Sequence, residues 1–273
     1  MTKIDRIDID SQSSLVEAAP SNFFLGKFKR AGDVLLDLLY PPQCLKCGAI
    51  VESADTLCIS CWQTVTFMTP PWCDACGIML EFDSGPGGLC AACARQLPVF
   101  ARARSVFAYD DDSKAMILSF KYRDRTDNAP AYARWLARAG ADLLEDADLL
   151  APVPLHWSRL CWRRYNQSAL LASALSQETQ IAVLPDLLVR RRRTASLGAM
   201  SPSRRRRTLK GAIRLRSSYR DRVTGNRILL IDDVLTTRST AQACARALLR
   251  AGASAVDVLT LARVKRPLPQ AAS

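Results

Sequence analysis

Ile228-Leu229-Leu230-Ile231-Asp232-Asp233-Val234-Leu235-Thr236-Thr237-Arg238-Ser239-Thr240 sets the architecture of this chain. Four apolar residues end in paired carboxylates, and a cluster of small hydroxyl residues follows at once. A continuous apolar run is what a parallel strand buried on both faces requires, so Ile228 to Ile231 predicts such a strand. From Thr240 to Arg250, Ala241, Cys244, Ala245, Leu248 and Leu249 share one helical face, with Gln242, Arg246 and Arg250 opposite. Gly252 supplies the stop just beyond. Strand, acids, hydroxyl loop and helix N-terminus in that order form a site for a phosphorylated, polyhydroxyl ligand. Amides and hydroxyls at the helix start favour phosphate, while the carboxylates accept hydrogen bonds from sugar hydroxyls or hold a metal through water. An ordinary α/β strand with solvated acids at its end is the competing reading, and it leaves the hydroxyl loop unexplained.

The pattern resembles the phosphoribosyl-pyrophosphate (PRPP) signature of type I phosphoribosyltransferases: a hydrophobic run, two acids, then Thr-x-Gly-x-Thr. The resemblance implies that Asp232 and Asp233 contact ribose hydroxyls and that Thr236, Thr237, Arg238, Ser239 and Thr240 surround the 5′-phosphate. The family pattern carries glycine where this chain has Arg238. Glycine reaches positive φ and lets backbone approach a phosphate closely, which arginine does less cheaply, although a guanidinium can itself reach a phosphate.

Eight of the ten cysteines form four Cys-x-x-Cys pairs: Cys44/Cys47, Cys58/Cys61, Cys73/Cys76 and Cys90/Cys93. Gly48 and Gly77 follow two of them. Tetrahedral zinc takes four thiolates, and each Cys-x-x-Cys turn delivers two from one knuckle, so eight make two sites. Disulfides and a redox dithiol are the alternatives, but no secretory leader precedes the pairs and their repetition reads as zinc ribbon. Iron–sulfur spacings differ from these. Sequential pairing unites Cys44, Cys47, Cys58 and Cys61 in one site and Cys73, Cys76, Cys90 and Cys93 in the other; crossed pairing fits the spacing too. Four thiolates leave no open position for substrate, so the zinc is structural. The block holds too few large apolar residues for a core of its own, which makes the metal part of its folding energy.

Thirty-eight Lys and Arg against 26 Asp and Glu give a formal charge of +12 over 273 residues. Part of the excess lies in Arg190–Arg193 and Arg204–Arg207, a density suited to a polyanion such as nucleic acid or a pyrophosphate ligand. No aromatic residue separates the two blocks, so backbone contact fits better than base stacking. No apolar run approaches a membrane span.

The chain divides into a polar, disordered N-terminus (1–22), a short helical lead-in (23–42), a double zinc ribbon (43–97), an α/β domain (98–266) and a tail (267–273). Within the α/β domain, strands are expected at Ala103–Tyr109, Leu149–Leu155, Ile181–Leu188 (irregular, with Pro185) and Ala255–Val264. Helices are expected around Met116–Lys121, Tyr132–Leu144 and Asn166–Leu175. Strands alternating with helices give a mostly parallel sheet whose ligands bind at the carboxyl ends of the strands.

Lys121, Arg163, Asn166 and Gln167 are candidate pyrophosphate or polyanion contacts. Asn166 serves equally as a helix cap, and Lys121 as a solvated cation. His156 is the sole histidine and has no partner for acid–base work in the pattern; Cys161 and Cys244 read as packing residues.

Three further segments carry a second resemblance. Pro152-Val153-Pro154-Leu155-His156 with Arg159 and Arg163-Arg164-Tyr165-Asn166-Gln167, then Phe120-Lys121-Tyr122-Arg123-Asp124-Arg125, then Thr194 to Ile213 ending in Lys210-Gly211-Ala212-Ile213, resemble the ComF competence-protein family and its GntX relatives. The family pattern has glycine at Arg164 and glutamine at Leu197. The resemblance covers about residues 35 to 265. It implies a double zinc ribbon before a type I phosphoribosyltransferase-like domain, cytoplasmic, with two structural Zn2+ ions and Mg2+ accompanying PRPP. It further implies a role in natural transformation: handling imported single-stranded DNA alongside DNA-uptake or recombination proteins. An active PRPP-dependent phosphoribosyltransferase of nucleotide or related metabolism is the alternative.

Overall fold

The computed structural model describes residues 41–122, 126–155, 165–190 and 211–264. The expected N-terminus, the helical lead-in up to residue 40 and the tail lie outside these residues, as do His156, Arg159, Cys161, Arg163, Arg164, Leu197 and both arginine blocks except Arg190. Among the described residues there are six strands: β1 Ala103–Tyr109, β2 Leu149–Pro152, β3 Leu188–Arg190, β4 Ile213–Leu215, β5 Arg227–Leu235 and β6 Ala255–Val264. The helices are α1 Ile59–Thr64, α2 Ala91–Arg95, α3 Asp111–Tyr122, α4 Ala129–Ala139, α5 Ala141–Leu144, α6 Gln167–Thr179, α7 Arg220–Val223 and α8 Ser239–Arg250.

Four strands form a parallel sheet in the order β1-β6-β5-β2. The apolar run at Ile228–Ile231 lies inside it and feeds both faces. Ile228 and Leu230 join a core with Cys244, Ala245 and Leu248 of α8, while Leu229 and Ile231 join another with Phe120, Leu136 and Leu171 of α3, α4 and α6. A strand covered on both sides has no polar face to alternate, which is why its sequence reads as unbroken apolar residues. The strand does not stop at the acids: Asp232, Val234 and Leu235 stay in register with Thr260, Ala262 and Arg263, because β6 runs alongside to Val264.

One expected helix becomes two. The Tyr132–Leu144 periodicity is real, but it begins at Ala129 with Pro130 in the first turn and breaks at Gly140. A Cβ at residue 140 would stand 2.7 Å from the Leu259 side chain, so close packing demands glycine and glycine interrupts the helix. The Ile181–Leu188 strand is irregular as expected. Val183 makes one parallel bridge to Leu150, and the chain then forms β3, which pairs antiparallel with β4, an element the sequence did not announce.

The cysteine-rich block is sewn to the sheet. Met68 N–H donates to Val106 O and Ala108 N–H to Thr66 O, both at 2.8 Å, which covers the open edge of β1. Leu45, Leu57, Cys61 and Val65 share a buried cluster with Phe107 and Tyr132. Phe67 meets Trp62 and Trp135 with ring centroids 4.6 and 5.9 Å away. Lys46 pairs with Asp112 at 2.7 Å, and Arg134 with Asp55. The second half of the block has only a minimal cluster of its own, around Cys73, Ala75, Cys76 and Cys93.

Candidate functional site

Four sequence segments meet at the carboxyl end of β5. Asp232 and Asp233 project there, and the last turn of α3 brings Lys121 Nζ to 2.9 Å from Asp233 Oδ2. The start of α6 supplies the third segment: Asn166 caps the helix by accepting from Ser168 N–H, and Ser168 Oγ donates to Asp232 Oδ1 at 2.9 Å. Gln167, almost wholly buried, donates through Nε2 to Lys121 O at 3.2 Å, and Tyr165 OH donates to Phe120 O at 3.0 Å. The Phe120-Lys121 and Tyr165-Asn166-Gln167 segments, separate in sequence, are thus fastened to one another below the acids. Asn166 also donates to Val153 O at 3.2 Å, so its side chain is engaged as a cap and a tie between α6 and the end of β2.

Burial pushes the Asp232 carboxyl up to about 7, and the neighbouring Asp233 charge pushes it further in the same direction. The Ser168 hydroxyl, the Asp233 N–H and Lys121 act against this. A carboxyl held this far above its ordinary range favours any cationic or hydrogen-donating partner that would stabilise the ionised form. Ribose hydroxyls and a magnesium ion both fit that description.

The hydroxyl loop completes the fourth segment. Thr237 Oγ1 and Ser239 Oγ lie 3.1 Å apart, and Ser239, buried, opens α8 one residue before the expected Thr240. Arg238 holds φ +65°, the left-handed conformation that glycine would adopt there without strain. Its guanidinium turns to the cysteine block, where Nη1 donates to Cys93 Sγ at 3.1 Å.

The eight paired cysteines form two four-sulfur clusters, Cys44-Cys47-Cys58-Cys61 and Cys73-Cys76-Cys90-Cys93, with all sulfurs of a cluster within 4.8 Å of one another. Pairing is therefore sequential. Four thiolates bound tetrahedrally at a Zn–S distance of about 2.3 Å stand roughly 3.8 Å apart. Cys47 and Cys58 are 3.7 Å apart, as are Cys76 and Cys90, so both clusters fit zinc. Each first knuckle is closed alike, by Gly48 N–H donating to Cys44 O and Gly77 N–H to Cys73 O. In the second cluster a hydrogen bond with Cys76 pulls Cys73 down to about 4, against burial, while burial pushes Cys93 up to about 11. A dication at the centre evens out such unequal thiols. Cys244 is buried in the apolar core, consistent with packing.

Three features escaped the sequence reading. Ser168 lies in none of the motifs that single out site residues in the sequence. Arg263, on which the sequence carries no site signal, is buried and its Nη2 donates to Cys76 Sγ at 3.2 Å. Arg214, Arg220 and Arg250 line a groove of about 470 Å³ with Ile213, Ala247 and Ala251, at the far end of α8 from the phosphate loop. Their spacing in the sequence gives no hint of that convergence. Arg190, by contrast, is buried at the end of β3.

Fold and sites together define a double-zinc-ribbon protein with a parallel α/β domain. Residues 35–94 match the double zinc ribbon domain family. The chain is 35% identical over 198 residues to "DNA utilization protein YhgH" of Salmonella typhimurium, covering 70% of this chain and 83% of that protein. It is 29% identical over 227 residues to "Competence protein F" of Haemophilus influenzae, covering 81% and 96%. A glutamine PRPP amidotransferase from B. subtilis, solved with ADP and GMP, is similar at 20% identity and a TM-score of 0.33, over 52% of this chain and 30% of that one. The chain belongs to the ComF-type family that competence protein F and YhgH represent. Among the described residues no helix is long and apolar enough to cross a membrane.

Proposed function

We propose that this chain is a cytoplasmic DNA-handling protein of natural transformation whose α/β domain binds PRPP with Mg2+. The observation that carries the reading is the meeting of Lys121, Ser168, Asp232 and Asp233 beside the Thr236–Thr240 loop at the carboxyl end of β5. The acids accept from ribose hydroxyls, the loop amides and hydroxyls take the 5′-phosphate, and Lys121 faces the pyrophosphate side. Mg2+ supplies countercharge to the pyrophosphate. The DNA role is supported by the names of the relatives, which speak of DNA utilization and competence. The groove edged by Arg214, Arg220 and Arg250 offers a surface for a phosphate backbone.

Anisotropy of a labelled single-stranded oligonucleotide across a salt series tests the DNA half. Binding that weakens steeply with salt, and weakens again in Arg214→Ser/Arg220→Ser, is expected. Binding indifferent to both would sink it. A transferase is the second reading, favoured by the same acids. It requires pyrophosphate release from PRPP on addition of an acceptor, abolished by Asp233→Asn.

A further inference from the structure

The second cysteine cluster does not merely lie near the phosphate loop; the α/β domain reaches into it with two guanidinium groups. Arg238, inside the loop at the N-terminus of α8, donates to Cys93 Sγ at 3.1 Å. Arg263, on β6 in register with Leu235 at the loop's entrance, donates to Cys76 Sγ at 3.2 Å. The two bonds go to different knuckles, one to each Cys-x-x-Cys pair of the cluster.

Four thiolates around one zinc ion leave a net dianion, and two adjacent arginines match its charge. Burial makes the match necessary. Arg263 is 5% exposed, and its Nε and Nη1 find no acceptor among the described residues, so the thiolate charge is what compensates this cation. The first cluster is built otherwise: the nearby cation Lys46 bonds to Thr64 and Asp112. Arg238 also sits where L-residues are strained, at φ +65°, a strain that a glycine would avoid. An arginine held there needs a compensating contact, and the thiolate of Cys93 provides it.

We infer that Arg238 is a positioning residue that bolts the phosphate loop to the second zinc site. The conformation of Thr236–Thr240 then depends on that metal, and ligand at the loop in turn retains the metal. The ligand half rests on the PRPP reading; the bolt itself does not. Loss of zinc frees the four sulfurs from their common centre, and the acceptors of Arg238 and Arg263 are then no longer held in place. A strained arginine and an uncompensated buried one are left at the two sides of the loop.

Zinc release to a chromogenic chelator from the full zinc-loaded chain tests this. In Arg238→Gly, whose backbone suits the left-handed turn, one of the two zinc equivalents is expected to leave about tenfold faster, the other at the wild-type rate, as befits loss of a hydrogen bond to a ligand sulfur. Arg238→Lys should fall between. PRPP with Mg2+ should slow the same equivalent in wild type but not in Arg238→Gly. Hydrogen exchange of the 235–240 amides should rise on zinc removal in wild type more than in Arg238→Gly. Identical release of both equivalents from wild type and Arg238→Gly would overturn the bolt. Faster release in the variant with no PRPP effect on wild type would keep the bolt and remove the PRPP reading.

Discussion

Lys121 and Asp233 form an ion pair of 2.9 Å across the mouth of the candidate site, both side chains largely shielded from solvent. The lysine comes from the last turn of α3 and the aspartate from β5, so the pair also ties a helix to the sheet beside the acids. Any ligand that uses Asp233 must share it with Lys121 or displace the ammonium toward its own phosphates. Lys121→Met is therefore expected to lower PRPP affinity about tenfold and to cost about 1.5–3 kcal/mol of stability, the range for hydrogen bonds to charged groups. Titration calorimetry and thermal unfolding read the two effects separately.

The raised Asp232 carboxyl gives a pH signature. Its value of about 7 in the folded chain lies above the ordinary value near 4, so the folded state binds more protons than the unfolded one between those limits. Its contribution to stability is present at low pH and is lost as pH rises through about 7. Ligand binding runs the other way. If ribose hydroxyls need the ionised form, affinity should climb roughly tenfold per pH unit up to about 7 and then level. Asp232→Asn should flatten the stability profile, as measured by melting temperature against pH.

Chelation should reach beyond the ribbons. Leu45, Leu57, Cys61 and Val65 of the first ribbon share a buried cluster with Phe107, Tyr132 and Leu136 of the α/β domain. Removing zinc withdraws folding energy from that shared core. The expected result is a single, lower melting transition for the whole unit, where independent domains would leave a transition at the original temperature. Calorimetry before and after chelation distinguishes the two.

Gly77 closes the first knuckle of the second site at φ +66°, and a Cβ there would lie 2.2 Å from Ala103 O on β1. Gly77→Ala should push the second ribbon off the sheet edge. Zinc content by elemental analysis is expected to fall from two per chain toward one, with the first site intact.

Much of this was legible in the sequence, for physical reasons. β1 and β6 fall at the expected residues, because Val106-Phe107 and Val258-Leu259 with Leu261 give each a β-branched, aromatic and aliphatic centre despite the polar residues between. The face of α8 reads correctly because its apolar stripe is periodic. The zinc clusters follow from four local turns, and only their sequential pairing needed coordinates. Contacts set by tertiary packing were not legible. Gly140 looks like any mid-helix glycine until Leu259 lies against it. Arg238 and Cys93 are 145 positions apart, and an arginine replacing a loop glycine reads as a phosphate contact or a lost one, not as a link to a thiol. Lys121 and Asp233 each appeared as separate candidate contacts; their pairing belongs to the fold.

The central claim is that the end of β5 and the loop after it bind PRPP. Calorimetric titration of the zinc-loaded chain with PRPP, with and without Mg2+ and alongside Asp232→Asn, tests it most directly. The account predicts saturable binding that requires Mg2+ and is lost in the variant. Absence of heat and of competition by PRPP in a second binding assay, or equal binding by wild type and Asp232→Asn, would contradict it.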